Sequence, residues 1–187
     1  MPLLLLIGGA RSGKSSLAQD IALRAGRPVT FIATAQALDA EMEARIARHR
    51  ADRPGAWTTV EESTDLEAAL GRAAVGDFVV IDCLTLWVSN LMGAGHTDDA
   101  IRTIASSVSD ALAARGAGAV VVTNEVGLAI VPANPAARAF RDTLGAVNAV
   151  FAAHAERTAL VVAGHVQELT SADQFLEGIP WPSPAQS

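Results

Sequence analysis

The chain is predicted to be a single α/β domain, a mostly parallel sheet with helices on both faces. Three observations predict it. Short apolar runs ending in glycine or polar residues alternate with segments of helical period. At 187 residues the chain fills one domain of ordinary size rather than two. Half of its residues are apolar and only 18% are charged, the balance of a well-buried globular protein. Strands joined through helices imply right-handed crossovers, and ligands in such sheets sit at the carboxyl ends of the strands.

Leu3 to Ile7 is a continuous apolar run, as for a strand buried on both faces. A glycine loop follows, and Lys14 to Ala25 then carries Leu17, Ile21 and Ala25 at helical spacing, with Gly26 placed to stop the helix. Val29 to Ala33 reads as a strand, Asp39 to Ala51 as a helix and Trp57 to Val60 as a short extended piece. Asp65 to Ala74 is a further helix, Phe78 to Ile81 a strand running into Asp82, and Trp87 falls on an apolar helix after it. Thr97 to Arg115 has the stripe of a long amphipathic helix, and Ala119 to Thr123 returns to strand. Pro135 to Ala155 is a long helix with proline near its start, and Thr158 to Ala163 is read as the last strand. The closing IPWPSPAQS has the composition of a frayed end, so residues 1–170 are taken as the domain and 171–187 as a tail.

A net charge of −6 argues against general attraction to nucleic acid or anionic lipid. One cysteine, Cys83, excludes an internal disulfide, and no apolar run approaches the roughly 20 residues that span a bilayer. The opening MPLLLLIGG lacks the basic flank and length of a secretory signal, so cytoplasmic residence is the expectation.

The segment GGARSGKS satisfies Gly-x-x-x-x-Gly-Lys-Ser with Gly8, Gly13, Lys14 and Ser15, between an expected strand and an expected helix. Such a loop turns successive backbone N–H groups toward phosphates, and the helix adds its positive N-terminal end. The expectation is a P-loop domain of the RecA-like type, handling ATP or GTP. Lys14 would reach the β- and γ-phosphates, and the Ser15 hydroxyl would ligate Mg²⁺. Lys14 is also the only lysine, against thirteen arginines. Asp82, at a strand end, is the expected second acidic residue of the magnesium site, with a strand-end turn or a helix N-cap as the plainer alternative that the phosphate loop disfavours.

Between Asp39 and Pro54 the sequence crowds Arg45, Arg48, Arg50 and Arg53 around His49 in an otherwise acidic protein. Arg45, His49 and Asp52 share a helical face, and the apolar stripe beside them is thin. A solvated surface helix would look the same. A phosphate site with a nucleophilic imidazole is the sharper reading, and periodicity does not decide between them.

GGARSGKS, ATAQALDAEMEARIARHRADRP, WTTVEE, IDCLTLWVSNLM, TNEVGLAIVPANPAARAFRDTLGAVN and VVAG, in this order, closely resemble one family. It is the bifunctional adenosylcobinamide kinase / adenosylcobinamide-phosphate guanylyltransferase family of cobalamin biosynthesis. The resemblance implies phosphorylation of adenosylcobinamide with ATP or GTP. It then implies transfer of GMP from GTP to adenosylcobinamide phosphate through a GMP-histidine. The family's R-I-x-x-H-[RK] motif falls on His49, which with Lys14 is the expected catalytic pair. Gly8, Gly9, Ala10, Arg11, Ser12, Gly13, Lys14 and Ser15 would bind the GTP phosphates. Thr34, Ala35 and Gln36 match the family's ATAQ/ATSQ segment and would lie near the nucleotide, with Arg53 and Glu62 as further contacts, although Glu61 and Glu62 could almost equally be turn residues before the helix at Asp65. Ser15 and Asp82 would hold Mg²⁺. A homotrimer is implied by the resemblance alone. After VVAG the family continues with a Pro-Leu-Lys-like ending, whereas this chain has His165 to Leu169.

Other residues draw plainer readings. Asn124 and Glu125 suit substrate or metal-water contacts, or an ordinary turn. Arg138 and Arg141 could meet phosphate or pair on the surface. His96, His154 and His165 read as a turn residue, a helix-end cation and a residue beyond the last strand; Cys83 reads as a small buried hydrophobe. The rival functions are a kinase of another small metabolite, with the histidine helix as a cover, and a motor or regulatory nucleotide-binding module needing a polymer partner.

Overall fold

The computed structural model describes residues 2–177 and 179. In chain order the elements are β1 (Leu3–Gly8), α1 (Lys14–Arg24), β2 (Val29–Ala33), α2 (Ala40–Ala51), β3 (Thr58–Glu61), α3 (Leu66–Arg72) and β4 (Phe78–Asp82). They continue with α4 (Leu84–Gly93), α5 (Asp98–Ala113), β5 (Ala119–Asn124), α6 (Pro135–His154), β6 (Arg157–Val162), β7 (His165–Leu169) and α7 (Ala172–Glu177). The seven strands form one sheet in the order β3-β2-β4-β5-β1-β6-β7, parallel except for the β6–β7 pair. The single α/β domain expected from the alternation is present.

The central strands read as unbroken apolar runs because both of their faces are covered. Leu5, Ile7, Val79, Ile81, Ala119 and Val121 pack with α3, α4, α5 and α6 on one face. Leu6, Phe78, Val80, Val120 and Val122 pack on the other with Ala18 and Ala22 of α1. The faces are unequal, one taking four helices and the other mainly α1. Trp87 is fully buried and donates its indole N–H to Thr64 O at 2.7 Å, so it belongs to the core.

Helix α2 stands apart. It has no buried residue, whereas α5 buries Ile101, Val108 and Leu112. Burying one such aliphatic side chain is worth about 1.5–3 kcal/mol. Helix α2 instead depends on the Asp39 cap, which accepts from Met42 N at 2.7 Å, and on an ion pair from Arg50 to Glu61 of β3. A cap contributes about 1 kcal/mol and an exposed pair less, so α2 is held only weakly against the rest of the fold.

Strand β6 is not the last strand, as the sequence had suggested. A two-residue turn at Ala163 and Gly164, with φ of 50° and 79°, returns the chain as antiparallel β7. Positive φ at both positions is what the tight hairpin turn requires. All five residues of β7 are exposed, so no apolar run announces it. Within the expected tail, residues 172–177 form α7. Of the frayed end expected at 179–187, residues 180–187 lie outside the described residues.

Candidate active site

The phosphate loop joins β1 to α1 and is shaped by two glycines. Gly13 has φ of 101°, where a side chain is strained, and a Cβ on Gly8 would meet Val161 O of β6 at 2.2 Å. The turn between β6 and β7 closes over the loop, Gly164 N–H donating to Ser12 O at 2.8 Å. Lys14, at the first position of α1, is buried and donates to Gly8 O at 2.9 Å, Gly9 O at 2.7 Å and Ser12 Oγ at 3.3 Å. Its three donors are thus aimed into the bowl of the loop, where triphosphate oxygens would replace the loop's own acceptors.

Burial draws the Lys14 pKa below its ordinary value, opposed by its interactions with Cys83 and Asp82. Cys83 is itself pushed up to about 11, chiefly by burial, and is neutral near pH 7. Asp82 therefore supplies the opposing charge. It ends β4, with β5 standing between it and the phosphate-loop strand β1.

A cavity of about 380 Å³ lies between α2 and the carboxyl ends of the strands. Ser15 and Asp82 line it from the phosphate-loop side, and Arg45, His49, Arg50 and Arg53 from α2 and the segment after it. Glu61, Ala35 and Cys83 complete much of the wall. The arginine and histidine cluster thus faces Ser15, at the start of α1, across one space. Arg48 and Asp52, on the same stretch of helix, are not among the lining residues.

Arg53 is held in place while keeping an unspent donor. Its guanidinium carbon lies 3.8 Å from the centroid of the Phe31 ring, which Trp57 stacks against at 6.3 Å. Its Nε is buried without a hydrogen-bond partner. A buried orphan donor beside a polar cavity fits an anionic ligand.

The segment Thr34, Ala35 and Gln36 divides by position. Only Ala35 lines the cavity. The fully buried Thr34 hydroxyl accepts from Cys83 N at 2.9 Å and donates to Cys83 O at 2.7 Å, clamping the end of β2 to the residue after Asp82. Gln36 donates to Ser63 Oγ at 2.7 Å.

Glu62 is turned away from the cavity, and its neighbour Glu61 faces it. In the register Ala33 pairs with both Glu61 and Asp82, so these two carboxylates flank β2 at the same level. Glu62 instead accepts the N–H groups of Thr64 and Asp65, both at 3.1 Å, at the entrance to α3. Those two bonds, with Arg72 nearby, hold its carboxyl below the usual range. A depressed folded-state pKa gives stability that is complete above the unfolded value and fades as pH falls through the folded one. Glu62→Gln should therefore destabilise the protein at neutral pH in urea titrations, with the deficit shrinking below about pH 4. A deficit independent of pH would contradict this.

Ser15 and Asp82 together offer a hydroxyl and a carboxylate, the hard oxygen donors that Mg²⁺ takes. Among the described residues no three His, Cys, Asp or Glu side chains converge as a metal cage. The pair suits a cation that completes its shell with phosphate oxygens and water.

The remaining polar residues lie elsewhere. Arg141 pairs with Asp142 at 2.8 Å, and Arg138 donates to Pro132 O at 2.9 Å and Ala133 O at 2.8 Å. His154 Nε2 lies 3.0 Å from Asp110 Oδ1, while His96 and His165 are exposed. No described helix is long and apolar enough to cross a membrane.

Residues 4–169 match the model of the family described as cobinamide kinase / cobinamide phosphate guanyltransferase. The chain is 42% identical over 163 residues to the bifunctional adenosylcobalamin biosynthesis protein CobP of Pseudomonas aeruginosa, covering 86% of this chain and 92% of that protein. It is 42% identical over 175 residues to the bifunctional adenosylcobalamin biosynthesis protein CobU of Salmonella typhimurium, covering 87% and 96%. The protein of the same name from Escherichia coli is 39% identical over the same length, with the same coverage.

Proposed function

The chain belongs to the cobinamide kinase / cobinamide phosphate guanyltransferase family, and from that premise we propose that it carries out both reactions at one phosphate-binding edge. In the first, the hydroxyl of adenosylcobinamide takes the γ-phosphoryl group of ATP or GTP. In the second, adenosylcobinamide phosphate takes GMP from GTP, giving adenosylcobinamide-GDP and pyrophosphate. The observation that carries this reading is the single cavity shared by His49, three arginines, Ser15 and Asp82.

His49 is assigned as the nucleophile of the second step. An imidazole nitrogen forms a bond to the α-phosphorus as the bond from that phosphorus to the α,β-bridging oxygen breaks, releasing pyrophosphate. An oxygen of adenosylcobinamide phosphate then attacks the same phosphorus, and His49 leaves. Lys14 and the N–H groups of Gly8 to Ser15 hold the phosphates, and Arg45, Arg50 and Arg53 face the charge that develops at the transferring group. Arg53 is favoured as a nucleotide contact by its unspent Nε. Glu61, which lines the cavity, is favoured over Glu62 as the carboxylate that meets the nucleotide. Ser15 and Asp82 would hold Mg²⁺, which when bound neutralises charge on the phosphate oxygens.

Residues 1–170 are proposed as the catalytic unit, and a cytoplasmic homotrimer is proposed from the family resemblance. The exposed Val162, Val166, Leu169 and Phe175 around β7 and α7 suit association between copies.

The test is direct. Purified chain incubated with adenosylcobinamide, ATP and GTP should yield first the phosphate and then the GDP adduct by mass spectrometry. Phosphate without adduct in the presence of GTP would reduce the function to a kinase, and neither product would contradict the reading.

A further inference from the structure

The phosphate loop has a second flank that the His49 cavity does not use. Strand β5 lies between β1 and β4, and its last residue, Asn124, pairs in register with Gly8. The next N–H, that of Glu125, donates to Gly8 O at 3.2 Å. Glu125 therefore stands at the base of the phosphate loop, displaced toward β1 from the strands β2 and β3 that flank α2. It is not among the residues lining the His49 cavity.

Its seat is built from buried polar groups. Asn124 N–H donates to Thr85 Oγ1 at 2.8 Å, and Asn124 O accepts from Asn148 Nδ2 at 3.0 Å. Asn148 is buried on α6 and accepts the Thr123 hydroxyl at 2.7 Å. A buried amide is costly unless satisfied, and here both its oxygen and its nitrogen bond the strand end that precedes Glu125. The Glu125 carboxylate accepts Gly127 N–H through Oε1, which orients it and leaves Oε2 for another donor.

The segment that follows displays apolar side chains. Leu128, Ile130 and Val131 are 87%, 93% and 62% exposed. The far end is tied down by Arg138, which donates to Pro132 O and Ala133 O. The segment thus starts beside the phosphate loop at Glu125 and is tied at its far end to α6, with its apolar side chains exposed.

We propose that Glu125 is the general base of the kinase step, and that the apolar segment from Leu128 to Val131 carries the bulky acceptor. This inference rests on the reading given above. As the acceptor hydroxyl oxygen bonds to the γ-phosphorus, the bond from that phosphorus to the β,γ-bridging oxygen breaks. The nucleoside diphosphate leaves and the hydroxyl proton passes to Glu125. The guanylyl step has no such need. Its acceptor is a phosphate oxygen that is already anionic and has no proton to lose.

That difference separates the two reactions experimentally. Glu125→Gln should lower phosphorylation of adenosylcobinamide by about 100-fold or more, and Glu125→Asp should recover part of it. Transfer of GMP to preformed adenosylcobinamide phosphate should stay within about threefold of wild type, which also shows that the variant is folded. Ile130→Asp should raise the KM for the corrinoid in both reactions and leave the Kd for GTP unchanged. Unaltered phosphorylation in Glu125→Gln, or an equal fall in both reactions, would overturn the assignment of the base. An unaltered corrinoid KM in Ile130→Asp would overturn the docking segment. Wild-type protein that phosphorylates no adenosylcobinamide would remove the underlying reading and this inference with it.

Discussion

His49→Ala should abolish GMP transfer, by on the order of 10³-fold or more, while phosphorylation of adenosylcobinamide stays within about threefold of wild type. The magnitude follows from the role. A covalent nucleophile has no substitute at its position, whereas a histidine that only carried charge would be partly replaced by the neighbouring arginines. The asymmetry between reactions follows from the geometry. His49 sits on α2, which buries no residue and touches the site from one side. Removing an imidazole there leaves the phosphate loop and the sheet as they are. Kinetic assays of both reactions on the same preparation check this. An equal loss in both would make His49 a general phosphate ligand, and retention of GMP transfer would exclude it as nucleophile.

Lys14→Ala should show the opposite pattern, lowering both reactions together by about 10²- to 10³-fold. Both use a triphosphate seated in one loop, and Lys14 is the side chain whose three donors converge inside it. Lys14→Arg should recover little, because a planar fork needs a wider seat than a compact ammonium. The space is closed by Val161 O against Gly8 and by the turn at Gly164 against Ser12 and Gly13. Lys14 is buried, so the substitution also takes donors from two loop carbonyls, and thermal melts with and without GTP separate that loss from lost binding. A variant with one reaction near wild type would show that the two steps do not share the loop.

The features legible in the sequence are those with a local cause. Strands β1, β2, β4 and β5 were visible because burial on both faces makes each a mainly apolar run, broken in β2 only by Thr30, and the phosphate loop because its glycines and lysine fall within eight residues. The arginines around His49 were visible as a cluster, but that they face Ser15 and Asp82 depends on how α2 crosses the strand ends. Glu61 and Glu62 could not be separated without the pairing of β3 with β2, since adjacent strand residues point to opposite faces and a slip of one exchanges them. Thr34 matches the family segment, yet its hydroxyl is spent on Cys83, a contact between residues far apart in sequence. Strand β7 was missed because an exposed edge strand has no buried face to impose a pattern.

In the proposed mechanism the P-loop and His49 act on one nucleotide. Incubation of the chain with GTP labelled at the α-phosphate, and separately at the γ-phosphate, followed by acid and alkali treatment and peptide mapping, tests it most directly. Label should come from the α-position alone, on His49, lost in acid and retained in alkali as a phosphoramidate. No covalent label from the wild-type chain, or label on any other residue, would contradict it.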